Sequence, residues 1–370
     1  MSIKSISYLV IGSGTLVYQM HKPGLTAPDA RVVAMCDLSE EKGKPPADEL
    51  GVPFYTDYRE MLATHPGADA VVVMTPHYNH AEITLACLRA GFHVLVEKPM
   101  ALRASDALEM VAEADTRNKL LAVNFQQRFR PEVRAARGLL QAGALGKLQR
   151  LSLVVTWPRS RRYYQLANWR ATWQGEGGGV LMNQAPHDLD LVCHLLGLPV
   201  QVVSWNRTLY HRIEVEDTIS AMLEWDNGAT GYVHISTQES DLSGQLVLVG
   251  TGGVLRIEPG SLRFEQFKAD VHTFLETAEP FAGVESAPVE IPLPEGSGDH
   301  AAVHANFRAA IRGEEPLMCP GSESVPSLML ANAMILSSHR NARVRFPLAA
   351  DEYADLLAEL QSNGKPVYGA

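Results

Sequence analysis

Five short apolar runs set the fold of the first 123 residues: Tyr8–Ile11, Arg31–Cys36, Ala70–Met74, Val94–Val96 and Leu120–Val123. Each is too short for a helix, rich in β-formers and apolar on both faces. Such runs read as strands of a parallel sheet covered on both sides. The segments between them carry helical spacing. One is Ala81–Ala90, which Gly91 stops in the manner of a C-cap. Continuous apolar strands alternating with amphipathic helices predict a doubly wound α/β sheet. A chain of 370 residues exceeds a single ordinary core, so a second domain is expected.

The ends of these runs carry the chemistry. The first stops at Gly12-Ser13-Gly14-Thr15. Gly12 permits a tight turn and Gly14 lets the backbone approach a pyrophosphate. The helix that follows offers its free N–H groups to the anion. Val17 stands where the dinucleotide fingerprint usually has a third small residue. The second run stops at Asp37, where an acid can accept hydrogen bonds from ribose hydroxyls and would repel a 2′-phosphate. NAD is therefore expected over NADP. The fourth run ends at Glu97-Lys98-Pro99, which puts a lysine beside an acid at the carboxyl end of a strand. Ligands of open parallel sheets bind at those ends.

From about Leu148 the texture changes to period-two strands with polar faces: Gln149–Trp157, Val200–Thr208, Thr218–Glu224, Gly231–Ser236, Gly244–Val249 and Gly253–Ile257. They predict a large, mostly antiparallel sheet with one exposed face, in an α+β domain. Two helices are expected beside it, Gln184–Leu196 closed by Gly197 and Asp299–Ile311 closed by Gly313. Phe264–Pro292 is the least regular stretch. The domain reading is residues 1–123, 124–348 for substrate binding and oligomerisation, and a helix and tail over 349–370.

One segment of the second half stands out, the triple glycine Gly177-Gly178-Gly179 followed by Asn183, Gln184, His187 and Asp188. Asn183 and His187 are spaced i, i+4 and are expected to share a helix face. Upstream, Tyr163-Tyr164 and Trp169-Arg170 set aromatic rings beside hydrogen-bond donors, as a sugar ring requires. A hydrophobic core edge is the competing explanation for those rings.

Charge and cysteine usage exclude several classes. The net charge is −10 and no basic block or basic-aromatic stripe is apparent, which disfavours nucleic acid as a partner. Cys36, Cys87, Cys193 and Cys319 lack C-x-x-C spacing. They read as buried small hydrophobes in a reducing compartment, with no metal site expected. No apolar run approaches the roughly 18 residues of a membrane span. The first residues read as a strand and not a signal peptide, so a cytoplasmic location is expected.

Taken together these motifs resemble the Gfo/Idh/MocA oxidoreductases over nearly the whole chain. The resemblance rests on Gly12-Ser13-Gly14, Cys36-Asp37, Thr75-Pro76 with His80, Glu97-Lys98-Pro99, Gln127-Arg128-Phe129 and the stretch Gly177–Asp190. Asn306-Phe307, Gly313-Glu314-Glu315-Pro316 and Ser337-Ser338 extend it. It implies an N-terminal Rossmann domain, with Lys98 and His187 as catalytic groups and Thr75, Pro76, His80, Glu97 and Lys98 around a nicotinamide. It also implies a cis Lys98–Pro99 bond. Asn183 departs from the family's usual aspartate, and an amide cannot take a proton. The Trp169-Arg170 and Asn183–His187 variants look most like members that oxidise sugars or anhydrosugars, often at C3.

The implied chemistry is oxidation of a secondary hydroxyl of a sugar, anhydrosugar, glycoside or cyclitol. NAD takes the hydride, and Lys98 or His187 takes the proton. Glu97 is expected to hold the Lys98 ammonium. Asn183, Tyr163, Tyr164, Trp169 and Arg170 are the expected sugar contacts, and a homodimer or homotetramer the expected assembly. Two alternatives stand beside this reading. One is an NAD-dependent glycosidase or lyase working through a transient 3-keto sugar. The other is a non-catalytic dinucleotide sensor, which would have no need of Lys98 and His187.

Overall fold

The computed structural model describes residues 4–240 and 244–364. The chain forms two compact units. One runs to Phe129 and takes in Gly175–Gly177 and Gly298–Leu328. The other comprises Arg130–Gln174, Gly178–Ser297 and the residues from Met329 onward.

The first unit opens with β1 (Ile6–Ile11), α1 (Tyr18–Leu25), β2 (Ala30–Cys36), α2 (Glu40–Leu50), β3 (Phe54–Tyr55) and α3 (Tyr58–Thr64). It continues with β4 (Ala70–Val73), α4 (His80–Arg89), β5 (His93–Val96), α5 (Ala104–Thr116) and β6 (Leu121–Val123). The six strands are all parallel in the order β3-β2-β1-β4-β5-β6. All five apolar runs are strands. β1 and β4 are buried along their whole lengths, which is why neither shows a polar face in the sequence. Gly91 follows α4 at φ +92°, the left-handed stop that its glycine permits. The order of strands reverses between β1 and β4, so ligands are expected at the carboxyl ends of those two strands and of β5.

The remaining elements are α6 (Pro131–Gln141), β7 (Leu148–Thr156), α7 (Arg161–Tyr164), α8 (Val180–Asn183), α9 (Pro186–Leu196), β8 (Gln201–Arg207), β9 (Thr218–Glu224) and β10 (Thr230–Ser236). After them come β11 (Gln245–Gly250), β12 (Gly253–Glu258), β13 (Ser261–Phe267), α10 (Val271–Thr277), β14 (Ser286–Val289), α11 (His300–Ile311), α12 (Gly321–Arg340), β15 (Val344–Arg345) and α13 (Ala350–Asn363). Nine strands pair in the order β14-β13-β12-β11-β7-β10-β9-β8-β15, and only β7 and β10 run parallel. The sheet reaches through the stretch read as irregular. β14 is a nearly exposed edge strand carrying Pro288, so it has no buried face to show as a pattern.

The division differs from the expected continuous span 124–348, because residues 298–328 join the first unit. The reason is the apolar face of α11. Val303 and Phe307 enter one core with Tyr8, Tyr18 and Leu25. Gly24 on α1 makes this fit possible, since a Cβ there would lie 2.5 Å from the His304 ring. Arg308 adds an ion pair to Asp29 at 2.9 Å. All four cysteines are free and buried. No helix among the described residues is long and apolar enough to cross a membrane.

Candidate active site

In the first unit the glycine turn after β1 is built by close approach of backbones. Gly12 sits at φ +96°, and a Cβ on it would meet the Met74 carbonyl at 2.8 Å. Gly14 was expected to leave room for a pyrophosphate. Its open side is taken by α2, because a Cβ there would lie 2.7 Å from the Lys42 Cβ. The Gly14 N–H donates to Asp37 Oδ2 at 2.8 Å, and Asp37 Oδ1 accepts from the Ser39 N–H at 2.9 Å. Ser13 Oγ donates to the Gly43 carbonyl and Thr15 Oγ1 to that of Gly12. Asp37 is thus locked beside the turn by two backbone donors, with further lone pairs to offer ribose hydroxyls.

Thr75, Pro76, His80, Glu97 and Lys98 gather at the ends of β4 and β5. The Lys98–Pro99 bond is cis, and Lys98 is half-buried. His80 is fully buried, with Nδ1 2.7 Å from the Pro99 carbonyl and Nε2 2.7 Å from that of Thr75. It ties the two strand-end loops together. Burial lowers its pKa, against the pull of both carbonyls toward the imidazolium.

Glu97 is also buried. Its Oε1 lies 2.8 Å from His21 Nε2 and 3.6 Å from His300 Nε2, and it accepts from Asn124 Nδ2. Its Oε2 accepts the Lys98 backbone N–H at 3.1 Å. Glu97 was expected to grip the lysine's ammonium; the bonds described here tie it to the lysine's backbone and to the histidines. Burial alone would raise the carboxyl, but the imidazoles of His21 and His300 overcome it and hold Glu97 well below the usual range. His21 Nδ1 meets His304 Nε2 at 2.9 Å. Burial pushes both histidines down, His304 strongly. With both rings neutral, one arrangement satisfies the chain: His304 Nε2–H donates to His21, and His21 Nε2–H donates to the Glu97 carboxylate. His21, Glu97 and His300 are also close enough in ligand type and spacing to hold a metal ion, although 2.8 Å is a hydrogen-bond separation.

Thr75 Oγ1 and Asn124 Oδ1, after β4 and β6, are buried without a hydrogen-bond partner among the described residues. Orphaned polar atoms at these strand ends suit an amide-bearing ligand, and a nicotinamide carboxamide is one. The residues present fit NAD.

In the second unit the triple-glycine segment has a structural cause. A Cβ on Gly179 would sit 1.9 Å from the Glu216 carbonyl oxygen. Glu216 Oε1 accepts the N–H groups of Gly179 and Leu181 at 2.9 and 3.0 Å, capping α8. Asn183 and His187 do not share one helix. Asn183 ends α8 and His187 is the second residue of α9, with Pro186 at its first position. Proline lacks the N–H that a continuous helix would need there, so it starts a new one.

Three expected sugar contacts, Tyr163, Arg170 and Asn183, meet around one hydroxyl, and Gln184 joins them. Tyr163 Oη donates to Asn183 Oδ1 at 3.2 Å and accepts from Arg170 Nη1 at 3.0 Å and Gln184 Nε2 at 3.1 Å. Arg170 lies over the rings of Tyr163 and Trp169, 4.9 and 4.8 Å from their centres. Tyr164 stands apart. It is buried, its hydroxyl is 2.7 Å from Thr237 Oγ1, and its ring packs on His211. Tyr164 belongs to the core edge, the competing explanation for these aromatics. His187 is buried on α9. The neighbouring Asp188 is pushed up to about 7 by burial, against the pull of Arg130.

The sequence reading missed Arg159 and, although it named Asp188, did not show that residue's raised pKa. Arg159 approaches Tyr163 within 5.0 Å of its ring centre, and burial pushes the Asp188 carboxyl up to about 7. A count of acids would have found the first. No Asp or Glu lies between Glu132 and Glu176, a stretch holding eight Lys or Arg. The chain's acidic total conceals this local basic, aromatic segment.

Comparison with known proteins agrees with this geometry. Residues 6–125 match the oxidoreductase family model with an NAD-binding Rossmann fold, and residues 133–256 match the GFO/IDH/MocA C-terminal domain. The chain belongs to the Gfo/Idh/MocA oxidoreductases, and its first unit is an NAD-binding Rossmann domain. It is 31% identical to 1,5-anhydro-D-fructose reductase of Ensifer adhaerens over 61% of this chain and 67% of that protein. It is 30% identical to D-glucoside 3-dehydrogenase of Escherichia coli over 61% of this chain and 64% of that protein. The aligned stretch thus spans about two thirds of these relatives. The WlbA dehydrogenase of Bordetella pertussis, crystallised with NADH and UDP-GlcNAcA, superposes with a TM-score of 0.79 at 27% identity, covering 94% of this chain and all of that one.

Proposed function

We propose that this protein is an NAD-dependent dehydrogenase. It oxidises a secondary hydroxyl, at C3 in the reading its glucoside-oxidising relative favours, of a sugar, anhydrosugar, glycoside or cyclitol. The observation that carries the proposal is the Tyr163–Asn183–Arg170–Gln184 cluster, a set of neutral and cationic groups converging on one point beside the half-buried rings of Tyr163 and Trp169. Sugar recognition needs such a set of directional partners and ring faces.

In this reading Gly12, Asp37, Thr75, Pro76 and Asn124 hold NAD, which accepts the hydride when bound. Glu97, kept ionised by His21, fixes the Lys98 backbone by accepting its N–H. Lys98 and His187 are the acid/base groups, and Asn183 is a neutral partner that orients a hydroxyl without relaying its proton. The exposed side chains of Trp205, Met222 and Tyr232 lie on one face of β8, β9 and β10. An apolar stripe of this kind suits self-association into a dimer or tetramer, which light scattering would read directly.

The test is a panel of sugars, glycosides, anhydrosugars and cyclitols offered with NAD, following NADH absorbance. Product NMR then identifies the oxidised carbon. Sugar-dependent NADH formation supports the proposal. Release of an aglycone without net NADH would assign the glycosidase alternative in its place. NAD binding with neither outcome would leave the sensor reading.

A further inference from the structure

We propose that His21, Glu97 and His300 of the first unit form a site for a divalent transition cation of the zinc type. The site is independent of the sugar-oxidising reading. Its members come from three elements remote in sequence: His21 from α1, Glu97 from the end of β5 and His300 from the start of α11. Packing brings one ligand atom from each, two imidazole nitrogens and a carboxylate oxygen, within 4.8 Å of one another. Two imidazoles and one carboxylate are a donor set that zinc takes, with water in the fourth position. Magnesium and calcium favour oxygen donors throughout.

Tetrahedral zinc with bonds of about 2.1 Å sets its ligand atoms roughly 3.4 Å apart. Glu97 Oε1 and His300 Nε2 already stand 3.6 Å apart, near that value and too far for a good hydrogen bond. Glu97 Oε1 and His21 Nε2 lie 2.8 Å apart, a hydrogen bond that a cation would replace, parting the two atoms by about 0.6 Å. The rings of His21 and His300 cross at 78° with their centres 4.8 Å apart. Rings set edge to face can aim two nitrogens at one point, which stacked rings cannot.

The groups behind the ligands fit a cation as well. His21 Nδ1 meets His304 Nε2 at 2.9 Å, which fixes the ring on the side away from the cation. Glu97 divides its oxygens: Oε2 accepts the Lys98 N–H at 3.1 Å and leaves Oε1 for the metal. Asn124 Nδ2 donates to Oε1 and can go on doing so through the second lone pair. Loading shifts one proton within each of two rings. His21 gives up Nε2–H and carries Nδ1–H, donated to His304 Nε2, and His304 holds its own proton on Nδ1. That Nδ1 is buried without an acceptor among the described residues, which opposes loading. A dication beside a buried carboxylate favours it. The His21 side chain is fully buried, whereas that of His300 is 13% exposed and gives a hydrated ion its way in.

The experiment strips the full chain with a chelator, incubates it with zinc sulfate and removes free metal by gel filtration. Elemental analysis should find about one zinc per chain, and magnesium should not take its place. His300→Ala should lower zinc affinity by about 100-fold or more, beyond the 10- to 100-fold that losing a ligand's hydrogen-bond partner costs. The thermal midpoint of the parent should rise with free zinc, because the unfolded chain does not bring residues 21, 97 and 300 together. His300→Cys keeps a ligand at that position and controls for misfolding. Loaded with cobalt(II), it should show a thiolate-to-metal charge-transfer absorption that the parent, with no cysteine in the set, lacks. The inference is overturned by a parent that retains no zinc, by equal retention in His300→Ala, by a midpoint indifferent to zinc, or by cobalt-loaded His300→Cys without that band. None of these readouts depends on turnover, so they leave the dehydrogenase reading to its own test.

Discussion

The polar cluster at Glu97 and the polar cluster at Tyr163 are built on opposite plans. In the first unit Glu97 is buried and closely partnered: His21, Asn124 and the Lys98 N–H are bonded to it, and His300 stands at 3.6 Å. In the second unit the hydroxyl of Tyr163 gathers neutral and cationic groups, Asn183, Gln184 and Arg170, with Arg159 over the same ring. One cluster is organised around a buried carboxylate and the other around a hydroxyl. A closed network suits the cofactor side, where geometry must be constant from turnover to turnover. A hydroxyl shared among amide and guanidinium groups suits the side proposed to meet a sugar.

The largest effect that tests this contrast is chemical. Lys98→Met should leave NAD binding close to that of the parent protein, because Glu97 contacts the lysine's backbone and that contact survives. Turnover should fall about 10²- to 10⁴-fold, the range for a lost acid/base group. Steady-state kinetics with NAD titration separates the two. Turnover close to normal would remove Lys98 from the mechanism, and lost NAD binding would show that its side chain helps build the closed network.

Acid should discriminate between the units next. Burial lowers the pKa values of His21, His80, His93 and His304, all in the first unit; His93 falls to about 4. Below the ordinary histidine value of 6.5 the unfolded chain binds protons that the folded unit refuses. Stability therefore falls as pH drops below that value, on the order of 1 kcal/mol per pH unit for each such histidine. Glu97 has a depressed pKa, so its contribution is present above the usual carboxylate range and is lost as pH falls through its folded value, which adds to the same trend. In the second unit His339 is lowered by burial, while Asp188 is raised. Hydrogen exchange between pH 7 and 5 should show strands β1, β4 and β5 loosening before β9 and β10. The reverse order would contradict the tautomer chain assigned to His304, His21 and Glu97.

How far the sequence foretold this differs between the same two regions. The first unit was legible because both-sided burial writes itself as unbroken apolar runs, and because Asp37, Thr75 and Lys98 stand where such runs stop. Its histidine network was hidden, since His21 and His304 are 283 residues apart and only the packing of α11 on α1 joins them. In the second unit the period-two strands were legible, while β14 lacked a buried face to reveal it. Asn183 and His187 looked like one helical face because their spacing is right, yet Pro186 breaks the helix between them. The triple glycine stood out in the sequence without its cause. It serves the close approach of Gly179 to the Glu216 backbone, a long-range contact that local spacing cannot encode.

A smaller effect tests the Tyr163 cluster itself. Asn183→Ala removes the acceptor of the Tyr163 hydroxyl and, in the proposed reading, a partner for the sugar. KM should rise by an amount corresponding to about 1–3 kcal/mol, with kcat changed much less. Unchanged constants would make the amide structural. A collapse of kcat alone would restore a role in proton transfer, which its chemistry argues against.

The smallest effect separates two adjacent tyrosines that look alike in the sequence. Tyr163 faces the arginines and Asn183, whereas Tyr164 is buried with its hydroxyl on Thr237. Tyr164→Phe keeps the ring and its packing on His211 and deletes one hydrogen bond. It leaves the Thr237 hydroxyl a second acceptor, the Asp217 carbonyl at 3.3 Å. The loss should be about 1 kcal/mol of stability, with KM for sugar unmoved. Tyr163→Phe is the matched control, because it deletes the hydroxyl on which Arg170, Gln184 and Asn183 converge, and its KM should rise. Denaturant midpoints and KM for the two variants, measured side by side, decide the assignment. Should Tyr164→Phe raise KM while Tyr163→Phe does not, the substrate contact lies on the buried ring and the Tyr163 cluster is only a brace for α8.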